Sequence, residues 1–571
     1  MHENFQSASV DQPFRGCAGG ADALTVPPVT PETSADTYDS HIRARVIDFF
    51  TLEGLPWPRR LWDVGSLLAL EELLEASSWA RHRVLSPASV DWQRHELLKA
   101  IGPDVGLGSR ELRAQLTSLL KQPLPDPSPA HRRLREVVEH ARGGYLDRWA
   151  AAAALPEGRR PQPERLARVI AAHLLDLGYD ASYLATWIGQ LAHRRASAEE
   201  VLQGAVALDR AAPHEFTVLV VLESAPEREQ AQKHEMWLSG REVVDWLKQR
   251  GHPTSGVRAG GGFLYRMTAR DPFSAASQAR EFVERMVARS SFMRGNRGGI
   301  RPAAHMWVDQ HPDPIPFVTP ARGADVLSLV NEGHLYQVDG QRTLIDDALE
   351  LAAPVNRGVL GPAVAGAWAA VESLLSHPDD PAEEQRSGKA VAADRLAAII
   401  ACSWPRAELT ALAHRHQPST PDALTEQLTA CTTNRERASA VADALAAGKS
   451  LHLADRFRRD ADIAAVHRMR RVVASPRGEL ATAVTIFRIG IRRLYRTRNI
   501  VLHGGSTQGV ALKAALRIAA PLVGAGLDRI TYAALAEGLT PLDLAARAEV
   551  GLKLVGGETG LSVVDLLEPR R

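Results

Sequence analysis

The stretch from Ser475-Pro476 to Gly504-Gly505 constrains this chain more than any other. Its apolar positions Leu480, Val484, Phe487, Ile491 and Leu494 return every three or four residues, the period at which one face of an α-helix meets a neighbour. Proline fits the first turn of such a helix, and glycine accepts the left-handed backbone that ends one. A helix this long with a single apolar seam needs partners, so the surrounding chain is expected to form a helical bundle.

The 571 residues exceed what one hydrophobic core holds, and the texture divides them. Residues 1 to about 40, rich in Gly, Pro, Ser and Thr, read as a flexible leader. From 41 to 212 the pattern is helical, with Pro123-Leu-Pro-Asp-Pro-Ser-Pro129 suggesting an inner boundary. Over 213–355 it becomes a small α/β domain. Phe216–Leu222 and Gly262–Thr268 are strand candidates, Glu227–Lys248 and Asp271–Val287 helical, and Asp325–Val330 and Leu335–Val338 possible edge strands. Helices return over 356–530, including Val364–Leu375, one beginning at Val391–Ile400 and a last one over Gln508–Leu522; residues 531–571 read as an appendage against them.

A net charge of +1 gives no global pull on nucleic acid, but a nuclease needs only a local basic site. Cys17, Cys402 and Cys431 are too scattered for a disulfide framework or a zinc site. The N-terminus carries no secretory pattern, and no apolar run reaches the 18 or so residues of a membrane span. A cytoplasmic protein that engages no membrane is expected.

The end of the long helix carries Arg498-Asn499-Ile-Val-Leu-His503. Five helical positions rise about 7.5 Å and turn about 140°, so Arg498 must bend to reach His503. Asn499, Arg496 and Arg492 share the side of His503, which predicts a positively charged ridge. Histidine passes protons near neutral pH, and arginine matches phosphate oxygens. Those two roles suffice for RNA cleavage by 2′-hydroxyl attack, with no metal or other cofactor.

Arg498-Asn499-x3-His503 before a glycine pair resembles the Arg-x4-6-His motif of HEPN ribonucleases, most nearly the ApeA-like HEPN proteins of bacterial anti-phage, abortive-infection systems. Ala367-Trp368-Ala-Ala-Val-Glu372-Ser-Leu-Leu375 resembles their opening helix, and Tyr265–Met286 the α/β segment that often precedes the bundle. The resemblance implies a mainly α protein with a C-terminal HEPN-like bundle, preceded by a small α/β domain and an N-terminal helical region. It further implies a homodimer through the bundle, an RNA substrate and a phage-derived or cellular trigger sensed elsewhere. Arg498 would stabilise the phosphate, His503 move protons and Asn499 support them, while Glu372 matches an acidic position without an assigned role. The alternative is a non-catalytic helical protein that dimerises or binds a partner, with His503 merely capping its helix.

Other patterns favour plainer readings. Arg135 and His140 repeat the spacing on an ordinary surface helix beside Glu136 and Glu139. His305, His311 and His334 with Asp309 and Asp313 offer ligand types at no standard metal spacing. His414 and His416 read as surface residues, and Gly256–Gly262, lacking the lysine of a phosphate loop, as a turn before a strand. Trp57, Trp62, Trp79, Trp92, Trp149 and Trp187 read as core anchors. The group Arg456, Arg458, Arg459, Arg468, Arg470 and Arg471 is equally a widened RNA surface or a solvated face.

Overall fold

The computed structural model describes residues 34–255, 257–258, 260–293, 299–309, 311–338, 343–381, 390–453, 459–557 and 559–569. The protein is mainly helical with one small antiparallel sheet. The leader expected over residues 1 to about 40 lies outside the described residues up to 33. From Ser34 on it is already the first turn of helix Ser34–Phe50, whose Ile42, Val46 and Phe50 enter the core.

Nine helices between Ser34 and Arg210 share one core. The Pro-rich connection marks no boundary within it, because Leu120 and Leu124 on one side and Leu134 and Val138 on the other belong to the same cluster. Gly143 and Gly144 separate helices Pro129–Arg142 and Tyr145–Ala153; Gly144 takes φ +69°, a left-handed backbone that favours glycine.

The sheet has the order β2-β3-β1-β4-β5, with β1 His214–Ser224, β2 Trp237–Leu238, β3 Gly261–Ala269, β4 Arg301–Val308 and β5 Ile315–Pro316. Alternation along β1 sends Val218, Val220 and Leu222 to helix Pro272–Ser290, and Leu219 and Val221 to helix Gly240–Gln249. Asp271 caps the first of these helices with a reciprocal capping box. The edge strands are not the expected ones. Part of Asp325–Val330 lies in the short helix Ser328–Asn331 and Leu335–Val338 forms no strand, whereas β2 lies inside the expected Glu227–Lys248 helix and β5 close after β4. Two-residue strands leave too short an alternation to read.

Helices Leu360–Leu375, Ala390–Arg415, Arg459–Ala474, Pro476–His503 and Leu512–Ala536 build the C-terminal core. Two of them continue through an internal proline, Pro405 and Pro521, and Leu512–Ala536 runs well past its expected end at Leu522. Packing there outweighs the roughly 3 kcal/mol that an interior proline costs. Ala390–Arg415 is the one described helix long and apolar enough to cross a membrane, and 72% of its apolar window is buried inside the protein. Helix Pro541–Leu554 and Val563–Leu567 contribute to the same core.

The two helical regions interlock. Trp62 inserts into the C-terminal core, 4.7 Å from the ring of Phe487 and 5.6 Å from that of Trp404, while Ile500 of the long helix completes the N-terminal core.

Candidate functional site

Helix Pro476–His503 changes character along its length. Up to Leu494 its buried apolar residues, Leu480, Phe487, Ile491 and Leu494, form the predicted seam. Over its last turns it lies between the bundle and the N-terminal helices, and from Arg492 to Ile500 all but Arg498 are buried. Gly504 keeps right-handed dihedrals as the cap, and Gly505 turns the chain at φ +64°.

At this end Arg498 and His503 meet. Arg498 Nη1 donates to Asn499 Oδ1 at 3.0 Å and to His503 Nε2 at 3.1 Å. Guanidinium has only donors, so Nε2 accepts and the ring proton sits on Nδ1. Arg498 is one-sixth exposed, Asn499 buried and His503 open to solvent. Glu372 Oε2 stands 3.9 Å from Arg498 Nη2 and accepts from Trp368 Nε1 at 3.1 Å. Trp368 in turn packs on Tyr495, with ring centroids 4.8 Å apart. The acidic position without a role therefore faces the arginine, and its i, i+4 spacing from Trp368 was the visible signal.

The expected basic ridge does not form. Arg492 makes a two-toothed ion pair with Asp394, at 3.1 and 2.7 Å, and lies over the ring of Trp92. Arg496 is 3% exposed and, with Arg493, binds Glu72 of the N-terminal region, each at 2.8 Å. Burial alone would raise the Glu72 carboxyl, but the two guanidiniums overcome it and hold it low. The face that looked solvated is an interface, because buried cations require paired anions. Glu75 Oε2 accepts from the amide of Val510 at 3.2 Å, and Trp79 lies against Gly504. No local pattern announces Glu72, Glu75 or Trp79, which arrive from more than 400 residues away.

The other candidates disperse. Arg135 and His140 are exposed on the amphipathic helix Pro129–Arg142. His305 is exposed on β4, Asp309 accepts from the amide of Thr217, His311 bonds the carbonyl of Asp313, and His334 bonds Gln337. Among the described residues no three potential metal ligands converge. His414 is exposed, but His416 is buried, between Asp422 at 3.1 Å and the amide of His452. It bridges two loops that sequence does not connect.

Gly256 lies outside the described residues. Gly261 and Gly262 open β3, and a Cβ on Gly262 would stand 2.8 Å from the carbonyl of Val220. Trp57, Trp62 and Trp149 are core residues or pack on it, Trp79 and Trp187 pack on the N-terminal core, and Trp92 lies under Arg492.

Arg456 and Arg458 also lie outside the described residues. Arg468 is no surface residue: it is buried and paired with Glu408 at 3.2 Å. Arg471 binds Glu479, and Arg470 the carbonyl of Lys449.

The chain matches no family model, and no curated protein or solved structure is similar to it.

Proposed function

We propose that this chain is a metal-independent endoribonuclease, acting through Arg498, Asn499 and His503 at the end of a C-terminal bundle of HEPN type. One observation carries the reading: a single guanidinium nitrogen of Arg498 bridges Asn499 and the imidazole of a solvent-open His503. A phosphate drawn to Arg498 competes with His503 for that nitrogen. Once released, Nε2 has a lone pair free to take the proton of a ribose 2′-hydroxyl. The 2′-oxygen then bonds to phosphorus, the P–O5′ bond breaks, and the departing oxygen takes up a proton. The products are a 2′,3′-cyclic phosphate and a 5′-hydroxyl end.

Acid and base must act on opposite sides of the phosphorus, which one histidine cannot do in a single step. A homodimer supplies the second, and Leu502, adjacent to His503 in the chain, and Val510 are exposed and give such a pairing apolar surface. The resemblance to anti-phage proteins points to a defence or toxin effector, with the N-terminal regions sensing a trigger.

The second reading, a non-catalytic sensor or partner-binding protein, is favoured by the engagement of Arg498 within its own chain and the clamping of the helix end by Glu72 and Trp79. Incubation of the full-length protein and its His503→Ala variant with total RNA and a chelator separates the two. Cyclic-phosphate ends from the wild type alone are expected; equal cleavage by both proteins, or none by a triggered wild type, removes the nuclease reading.

A further inference from the structure

The N-terminal helices, the sheet region and the bundle meet around a cavity of about 380 Å3, separate from Arg498 and His503. That volume lies within the about 300–1,000 Å3 range of small-molecule sites. Four helices begin at it: Ala181–His193, Pro272–Ser290, Leu360–Leu375 and Leu512–Ala536. The last two have no side-chain cap. The first amides of Leu360–Leu375 and the first turns of all four helices thus border one space, although the amide of Leu512 is taken by the carbonyl of Gly509.

The side chains add to that field. Arg60, Arg280 and Arg322 line the cavity and are held by neutral oxygens. Arg60 donates to the carbonyls of Leu52 and Leu55, Arg280 to that of Pro316 and the hydroxyl of Thr319, and Arg322 to those of Val355 and Gly358. None of the three forms an ion pair among the described residues. Arg280 is 8% exposed, and its Nε has no partner. Lys513 and Arg517 also line the cavity, Arg517 paired with Asp176 at 2.8 Å, and the lining acids are Asp180, Glu281 and Glu284. Of those acids, Glu281 is taken by Lys513 at 2.7 Å, and Asp180 caps its own helix. Burial raises the Glu284 carboxyl against the pull of Arg280. Leu52, Leu175, Tyr179 and Leu360 give the wall an apolar part beside Ser277 and Gln278.

Unneutralised guanidiniums and helix ends beside an apolar wall suit a molecule that is anionic at one end and flat and apolar at the other. We infer that this cavity binds a small phosphorylated ligand of mononucleotide size, its phosphate held by Arg280, Arg322 and Lys513 and the helix ends. Helix Leu360–Leu375 leads from the cavity to Trp368 and Glu372, which gives an occupant a route to Arg498.

The binding test involves no RNA cleavage, so it stands or falls apart from the nuclease reading. Adenosine, AMP and ADP, with the other nucleoside monophosphates, are titrated into the full-length protein by calorimetry. Heat from at least one nucleotide at up to about 1 mM is expected, with adenosine at least about tenfold weaker. Lys513, 62% exposed in its side chain, is replaced without disturbing a core. Lys513→Glu is expected to weaken nucleotide binding about tenfold or more and Lys513→Arg to retain it. Arg280→Gln, with folding checked by circular dichroism, weakens it further. Three outcomes overturn the proposal: no binding of any nucleotide, adenosine binding as tightly as AMP, or equal affinity of wild type and Lys513→Glu.

Discussion

Trp79 lies so close over Gly504 that a Cβ on the glycine would stand 2.9 Å from its ring and 2.6 Å from the carbonyl of Ile500. The backbone carbonyl cannot yield, so Gly504→Ala must move the indole or unwind the helix end that carries His503. A loss of about 1–3 kcal/mol is expected in chemical denaturation. Gly505 supplies the control. It has open space but a φ of +64°, so Gly505→Ala loses only the roughly 1–2 kcal/mol of a left-handed alanine and leaves Trp79 fluorescence in place.

Glu72 holds two buried arginines of the same helix, so its removal leaves both without a counter-charge. Glu72→Gln is expected to destabilise the protein by about 3–5 kcal/mol. The cost is specific: Glu72→Gln combined with Arg496→Met should recover part of it, because the second change removes one of the stranded charges. Denaturation midpoints of the single and double variants check this, and a double variant worse than the sum of its parts would contradict it.

These two contacts mark where sequence reading stopped. The seam Leu480, Phe487, Ile491 and Leu494 and the glycine stop were legible because period and cap chemistry are local properties of a helix. The predominance of helix and the core of the sheet, β1 and β3, were legible for the same reason. Arg492 and Arg496 misled because a helix face with arginines looks solvated until Asp394, Glu72 and Trp92 are brought to it from elsewhere in the chain. His416 was misread likewise, since its partners Asp422 and His452 sit on separate loops. Glu372 was visible as a residue but not as a neighbour of Arg498, since that proximity depends on how two helices cross.

Acid should weaken the junction between the helical regions. Glu164 sits among Arg45, His41, Arg168 and Arg468, and Glu408 binds Arg59 and Arg468. Burial alone would raise both carboxyls; the surrounding cations overcome it, and Glu164 lies well below its ordinary value of 4.5. Glu72 is lowered in the same way. A depressed folded-state value means that the stabilisation is complete above about pH 4.5 and is lost as pH falls through the lowered value. Asp48 acts in the opposite sense, because burial raises it despite Arg45. Burial likewise raises Glu75, which accepts from the amide of Val510. With three lowered carboxylates against these two raised ones, the denaturation midpoint should fall below about pH 4.5. Glu408→Gln should flatten that dependence, and an unchanged slope would exclude Glu408 as a contributor.

Arg498→Lys discriminates between a fork and a charge. One guanidinium nitrogen meets both Asn499 Oδ1 and His503 Nε2 while the other faces Glu372, a planar arrangement that a single ammonium cannot reproduce. If Arg498 only neutralised phosphate, lysine would keep most of the activity, and its loss with alanine would be restored. If Arg498 also holds the imidazole in the tautomer with Nδ1 protonated, lysine should fail nearly as badly as alanine, on the order of 10²-fold in RNA cleavage. The structural half of the prediction needs no substrate. In the wild type the nitrogen chemical shifts of His503 should report Nε2 as the acceptor at neutral pH, and in Arg498→Lys they should move toward the tautomer mixture of a free imidazole. Wild-type shifts already showing that mixture would mean that Arg498 does not orient His503 in solution.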